Sequence, residues 1–192
     1  MNIAGIDEVG RGALFGPVVA AAVVLSESTC QQLQGLGVTD SKRLSPSRRQ
    51  CLVKPIQTLA LDYALGLASV HEIQRLNILQ ATRLAMQRAV RRLQHPPDLC
   101  LVDGNQAIPY LGLPQRLVIQ GDQKHTEIAA ASILAKVWRD SLITRLDRRY
   151  PGYGLATNKG YGSAYHRQAI QQLGSTAQHR LSFKGCNPHP TP

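Results

Sequence analysis

Acidic residues are scarce in this 192-residue sequence: 12 Asp and Glu stand against 22 Lys and Arg, a formal net charge of +10. A soluble domain with that balance usually meets a polyanion, although a solvated positive surface without a partner has the same composition. Cysteine is sparse too. Cys30, Cys51, Cys100 and Cys186 lie far apart with no CxxC pair, which argues against a zinc cluster or a disulfide framework and fits the reduced thiols of a cytoplasmic protein. Cys51 and Cys100 sit in apolar runs and read as small core residues. The N-terminus has no basic leader before an apolar stretch, so no signal peptide is expected. The longest apolar run, Phe15 to Leu25, contains Gly16 and Pro17 and is too short to cross a bilayer as a helix, so no membrane partner is expected. A GxxxxGK[ST] phosphate loop is missing, which disfavours nucleotide hydrolysis, and HExxH is missing as well. The six histidines show no ligand spacing and read mostly as surface or capping residues.

What remains is patterned. At 43% hydrophobic residues the chain has ample material for a core, and its length suggests one domain. Ile3–Val9 and Pro17–Leu25 are β-type runs joined by a glycine-bearing link, which suggests a hairpin. Residues 26–44 read as mostly loop. Ser45-Pro46 looks like a helix cap followed by proline at the first helical position, with Pro55 interrupting the helix. Leu61–Ala68 is a plausible strand. Ile78, Ala81, Ala85, Ala89 and Leu93 recur at helical spacing, so a helix runs from Val70 to about Leu93. Leu99–Asp103 and Arg116–Gln120 are short strands. Thr126 to about Arg148 is the longest helical pattern, and the small residues Ala129–Ser132 let its first turns approach a sheet or ligand closely. Ser163–Leu173 is a last helix. Strands followed by helices alternating with strands predict an α/β fold with a mixed sheet.

The few acidic residues are placed informatively. Asp7 and Glu8 close the first strand, Asp103 closes LCLVD, and Asp122 follows the strand RLVIQ, each near a glycine. If those strands are neighbours, the carboxylates converge on one edge of the sheet and repel one another unless cations neutralise them. Oxygen donors favour Mg²⁺ or Mn²⁺, and two such ions about 4 Å apart hold both oxygens of a phosphoryl displacement. Any one Asp beside Gly is ordinarily a turn residue; the repetition in a basic chain is what points to chemistry. Asp7 and Glu8 should face opposite sides of a regular strand. Both serve one site only if the chain bends at Val9-Gly10, or if Glu8 contributes its carbonyl. Gly10-Arg11-Gly12 offers approachable amides and a guanidinium for a phosphate or hydroxyl. Asp40-Ser41-Lys42-Arg43 reads as a loop suited to phosphates. Lys136 and Arg139 face nucleic acid or solvent, and Asp140 reads as an ion-pair partner of Lys136. Tyr161, in NKGYGS, is placed to stack on a sugar or base.

Taken together, DEVGRG at 7–12, DSK at 40–42, LNILQAT at 76–82, VDGN at 102–105, GD at 121–122, AAASILAKVWRD at 129–140, KGY at 159–161 and HRLSF at 179–183 resemble bacterial ribonuclease HII over nearly the whole chain. The resemblance implies the ribonuclease H-like fold, a mixed five-stranded sheet flanked by helices. It implies one catalytic domain over 1–192, with a helical C-terminal part from about residue 150 and a loose tail from about residue 186. The implied activity is endonucleolytic cleavage of RNA in RNA–DNA hybrids and 5′ of single ribonucleotides in duplex DNA, leaving 3′-hydroxyl and 5′-phosphate ends. The implied metal ligands are Asp7, Glu8, Asp103 and Asp122, holding two Mg²⁺ or Mn²⁺ ions. Gly10, Arg11 and Gly12 would sense the 2′-hydroxyl, Tyr161 the DNA–RNA junction, and Lys42 a phosphate. Ala13 and Gly162 stand where the family commonly has proline, and Gly162 is expected to loosen the Tyr161 loop. A monomer is expected, with at most a weak sliding-clamp contact through Gln178, Leu181 and Phe183, because Phe183 is better suited to packing in the domain. Two rivals stay open: a non-catalytic nucleic-acid-binding module, and a resolvase-like nuclease acting on branched DNA. The type 3 sister enzyme is disfavoured because DEVGRG stands almost at the start.

Overall fold

The computed structural model describes residues 2–186; the rest of the expected loose tail, from Asn187, lies outside them. Strands β1 (Ile3–Val9) and β2 (Val18–Leu25) form the expected antiparallel pair, and β3 (Asp62–Ala68) extends it antiparallel to β2. On the other side β4 (Leu99–Asp103) and β5 (Gln115–Val118) add in parallel, giving the order β3-β2-β1-β4-β5. The sheet is mixed and five-stranded, as the resemblance implies. β2 is buried along its whole length, which is why it reads as an unbroken apolar run rather than an alternating one.

Helices cover both faces of the sheet. Ala4, Ile6, Ala20, Ala22 and Val102 pack on one side with α4 (Ile78–Arg91), whose Ala81, Ala85 and Ala89 are fully buried. Val19, Ala21 and Val23 pack on the other with α5 (Thr126–Asp147) and α2 (Pro46–Leu59). The first turn of α5 crosses β1 so closely that a Cβ on Gly5 would lie 2.0 Å from the Glu127 carbonyl carbon. Only glycine permits this approach, and it brings the small-residue turns of α5 beside the end of β1. Among the described residues no helix is long and apolar enough to cross a membrane.

Four local expectations need correction. Within the segment expected as loop, Glu27–Gly35 forms helix α1: Ser26 and Thr29 make a reciprocal capping box, and Leu33 is fully buried. The helix expected from Val70 to Leu93 is two helices, α3 (Val70–Leu76) and α4. They are broken at Asn77, which adopts φ 68° and caps α4 through its side chain. Pro55 does not interrupt α2. It removes the donor to the carbonyl of Cys51, and Cys51 lies on the exposed face of the helix. Cys51 is therefore no core residue, whereas Cys100 is fully buried. Past α5, a single helical turn α6 (Leu155–Asn158) and α7 (Ala164–Leu173) pack with Leu14, Phe15 and Cys186 into a separate apolar cluster.

Candidate active site

The parallel register pairs Ile6 with Val102, so Asp7 and Asp103 stand side by side at the C-terminal ends of their strands and on the same face. That face is toward α5, where Ser132 helps hold the Asp7 carboxylate. Strand alternation sends Glu8 to the α4 side. There it borders a groove with Thr82 and Met86. Its longer side chain nevertheless reaches around the end of β4: ligand oxygens of Asp7, Glu8 and Asp103 all lie within 4.8 Å of one another. Glu8 thus joins the cluster through its carboxylate, and the chain does bend just beyond it, at Gly10 with φ +90°.

Asp122 sits differently. β5 stops at Val118, Gln120 takes a left-handed conformation, and Asp122 falls in a 3₁₀ turn, Gly121–Gln123. Its carboxylate is outside the three-residue cluster, 3.5 Å from Lys42 Nζ. Its Oδ2 is buried without a hydrogen bond. The preceding residue does serve the cluster: the Gly121 amide donates to Asp103 Oδ1 at 2.7 Å.

The electrostatics of the cluster call for a cation. Burial, then the Glu8 and Asp103 charges, push the Asp7 carboxyl well above its usual range. Burial raises Glu8 too, against the pull of Arg11, whose Nη1 is 3.4 Å away. Burial raises Asp122, opposed by Lys42. Crowded carboxylates in a partly dry site are uphill to ionise alone and favourable once a divalent ion binds. All the donors are hard oxygens, without thiolate or imidazole, so the residues fit Mg²⁺ or Mn²⁺ rather than zinc.

The cluster opens into a cleft of about 310 Å³ whose wall carries Gly10, Arg11, Gly12, Lys42, Lys136 and Tyr161. All the predicted substrate-contacting residues therefore border the same cleft as the three carboxylates. Around Gly12 nothing lies within 4 Å of where a side chain would start, so its backbone is approachable from the cleft. Lys136 Nζ sits 5.5 Å from the Tyr161 ring centroid and 3.0 Å from Asp140 Oδ1, the expected helical ion pair. Burial works against the charge of Lys42, but Asp122, Asp7 and Asp40 outweigh it and raise its pKa. Hydrogen bonds brace the Tyr161 loop: Tyr161 N–H donates to Asn158 O, Gly160 N–H to Asn158 Oδ1, and Arg167 to Gly162 O.

Several residues that shape the site were misread or missed in the sequence. Arg139 faces neither nucleic acid nor solvent. It is fully buried and donates to the carbonyls of Phe15, Pro17 and Lys159 at 2.9–3.0 Å. A Cβ on Gly10 would lie 2.2 Å from its Nε, so this guanidinium forms the floor of the GRG turn. Arg180, also fully buried, donates to Gly16 O and Arg11 O. Burial and the neighbouring Arg139 push its pKa down to about 9, still charged at neutral pH. His166 and His179 are buried as well, not surface residues. The only sequence signal for these four was their place inside the WRD and HRLSF motifs and the helix of residues 163–173.

A mixed five-stranded sheet whose central strand ends carry three clustered carboxylates defines a metal-dependent nuclease of the ribonuclease H-like class. The family model for ribonuclease HII matches residues 4–186, and the chain belongs to that family, whose members cleave the RNA of RNA–DNA hybrids and depend on divalent metal. It is 66% identical over 185 residues to ribonuclease HII of Acaryochloris marina, covering 96% of this chain and 93% of that one. Among solved structures it is similar to ribonuclease H2 from Pyrococcus horikoshii (TM-score 0.81, 28% identity, 97% and 95% of the two chains). It is equally similar to the ribonuclease HII in a PCNA complex from Archaeoglobus fulgidus (TM-score 0.81, 28% identity, 96% of each chain). The chain is a metal-dependent endoribonuclease.

Proposed function

We propose that this endoribonuclease cuts on the 5′ side of ribonucleotides, both in RNA–DNA hybrids and singly embedded in duplex DNA, leaving 3′-hydroxyl and 5′-phosphate ends, and so initiates ribonucleotide excision. The observation that carries this reading is the shared cleft. Carboxylates for hydrolysis and groups suited to a ribose and its phosphates line one cleft.

In this reading Asp7, Glu8, Asp103 and Asp122 hold two divalent ions, Mg²⁺ or Mn²⁺. When bound, those ions supply activation of water and neutralisation of charge on the leaving oxygen. Asp7 would be the principal ligand, because it is the most buried of the three clustered carboxylates. Asp122 completes the set through its Oδ2, which makes no hydrogen bond and faces Lys42 Nζ at 3.5 Å, once Lys42 turns from it to a substrate phosphate. Gly121 fixes the orientation of Asp103 before any ligand arrives. The backbone of Gly10–Gly12 meets the 2′-hydroxyl, the group that distinguishes RNA from DNA. With Arg139 and Arg180 holding the inward carbonyls of this turn and the segment after it, the amides are presented without reorganisation at the moment of binding. Tyr161 stacks on the sugar at the DNA–RNA junction.

The protein acts as a monomeric single catalytic domain in the cytoplasm in this account. Phe183 packs against two apolar clusters, with the Arg180 guanidinium 5.1 Å from its ring centroid. A sliding-clamp contact through Gln178, Leu181 and Phe183 would have to draw that ring out, which keeps such a contact weak.

The test is a labelled duplex carrying one ribonucleotide, incubated with and without Mg²⁺, with the cut mapped. The expected product is a Mg²⁺-dependent DNA end with a 3′-hydroxyl, immediately 5′ of the ribonucleotide. Binding without any cut would favour a non-catalytic module, and cutting of an all-DNA junction would favour a resolvase.

A further inference from the structure

The loop that carries Tyr161 hangs from two histidines that the proposed chemistry leaves unused. His166, in the first turn of α7, and His179 are both fully buried. Their hydrogen bonds allow one ordering of protons. The Thr176 amide donates to His179 Nδ1 at 2.9 Å, so that nitrogen is an acceptor and the proton sits on Nε2. His179 Nε2 faces His166 Nε2 at 3.2 Å, and the second ring must therefore accept there. The proton of His166 is left on Nδ1, 2.9 Å from the carbonyl oxygen of Tyr161, which only accepts. The opposite tautomers would aim the Thr176 N–H at another N–H and the Tyr161 carbonyl at a lone pair. Burial lowers the pKa of both rings, His179 to about 4 with His166 contributing, in keeping with a neutral pair.

This relay is not needed to satisfy the Tyr161 carbonyl, because the Ser163 amide already donates to it at 2.8 Å. What it adds is direction. The residue after Tyr161 is glycine, which gives the backbone more freedom than any other residue. Beyond His179, the chain is tied down on both sides: Arg180 N–H donates to Leu14 O, and Gln178 O accepts from Gly16 N–H.

We propose that His166, anchored by His179, is a positioning residue that fixes the Tyr161 backbone and so sets where the ring stands over the cleft. This rests on the reading above that Tyr161 contacts the substrate.

Two substitutions separate the relay from simple space-filling. In His166→Asn the side-chain amide nitrogen falls near the place of Nδ1 and still donates to the Tyr161 carbonyl. In His166→Gln an oxygen falls near the place of Nε2, keeping the link to His179 but donating nothing to Tyr161. For a duplex with one ribonucleotide, His166→Gln should raise KM roughly tenfold, the effect of one buried hydrogen bond, while kcat and Mn²⁺ binding hold. His166→Asn should stay within roughly threefold of wild type, since its donor is retained. In a Tyr161→Ala background the Gln substitution should add nothing. An equal KM for both His166 variants, or an undiminished Gln effect in the Tyr161→Ala background, would overturn the proposal. Imidazole ¹⁵N shifts of the wild-type protein give an arm free of folding artefacts. They should show Nδ1–H on His166 and Nε2–H on His179 at neutral pH, and reversed tautomers or a charged ring would overturn it as well. If Tyr161→Ala alone leaves KM unchanged, the substrate role of Tyr161 falls and the functional half of the proposal with it, whereas the ¹⁵N result still tells whether the relay exists.

Discussion

At the end of the sheet, three carboxylates crowd together, and among the described residues Arg11 is the one cation paired with them within 4 Å. Behind the GRG turn, two guanidiniums are buried against backbone carbonyls, with no ion pair to a carboxylate among the described residues. Both regions concentrate charge of one sign, and they resolve it in opposite ways. The arginines are held from within: five carbonyls accept from them, with Arg180 Nη2 left buried without a partner, and they hold the GRG turn and the segments beside Tyr161 in one arrangement. The carboxylates are left to be completed from outside, by metal and substrate. Charge held rigidly by backbone carbonyls next to charge awaiting a ligand is the arrangement expected of a preorganised site, in which the scaffold bears the cost of order before binding.

The comparison breaks most sharply if one region is altered without the other. Asp103→Asn should lower cleavage by more than the roughly ten- to hundredfold loss typical of groups that only support a metal ligand. Its unfolding midpoint in urea should stay at or above that of wild type, because a repelling charge is gone. A variant that lost stability and kept activity would reverse the roles assigned to the two regions.

Arg139→Met should do the opposite. It strands the carbonyls of Phe15, Pro17 and Lys159, and the loss of stability should be about 3 kcal/mol by urea unfolding, with the removal of a buried charge offsetting part of the cost. A change below about 1 kcal/mol would mean that the carbonyl cradle contributes little.

A smaller effect should appear with pH. His179 has a pKa of about 4 in the folded protein against 6.5 for the free side chain. Between those values the unfolded chain holds a proton that the native state lacks. The contribution of His179 is therefore complete above about pH 6.5 and is lost as the pH falls toward 4, by up to roughly 3 kcal/mol. Unfolding curves measured at pH 7 and pH 5 check this, with His179→Asn expected to flatten the difference. An unchanged difference in that variant would assign the pH dependence to other groups.

The same contrast explains what was legible in the sequence. The carboxylates could be read because strand ends and neighbouring glycines are local features. Asp7 and Asp103 needed only the assumption that their strands are adjacent, and the register puts them side by side. The reach of Glu8 around β4 could not be read, since alternation alone sends it to the other face. Asp122 was tied to the end of a strand, but the left-handed Gln120 and the 3₁₀ turn displace it from the cluster. The arginines were illegible for a different reason. Their partners lie 20–169 residues away in sequence and are backbone carbonyls, which carry no residue identity. Helix α1 was hidden because Leu33 is its one buried residue, leaving no apolar stripe to detect.

The central claim is that the cluster around Asp7 binds divalent metal for cleavage and is not needed to hold the fold or the nucleic acid. The direct measurement is single-turnover cleavage of a duplex carrying one ribonucleotide by Asp7→Asn in Mg²⁺, alongside its binding to the same duplex. The account predicts no detectable cut with binding close to wild type. Near-normal turnover by that variant would contradict it.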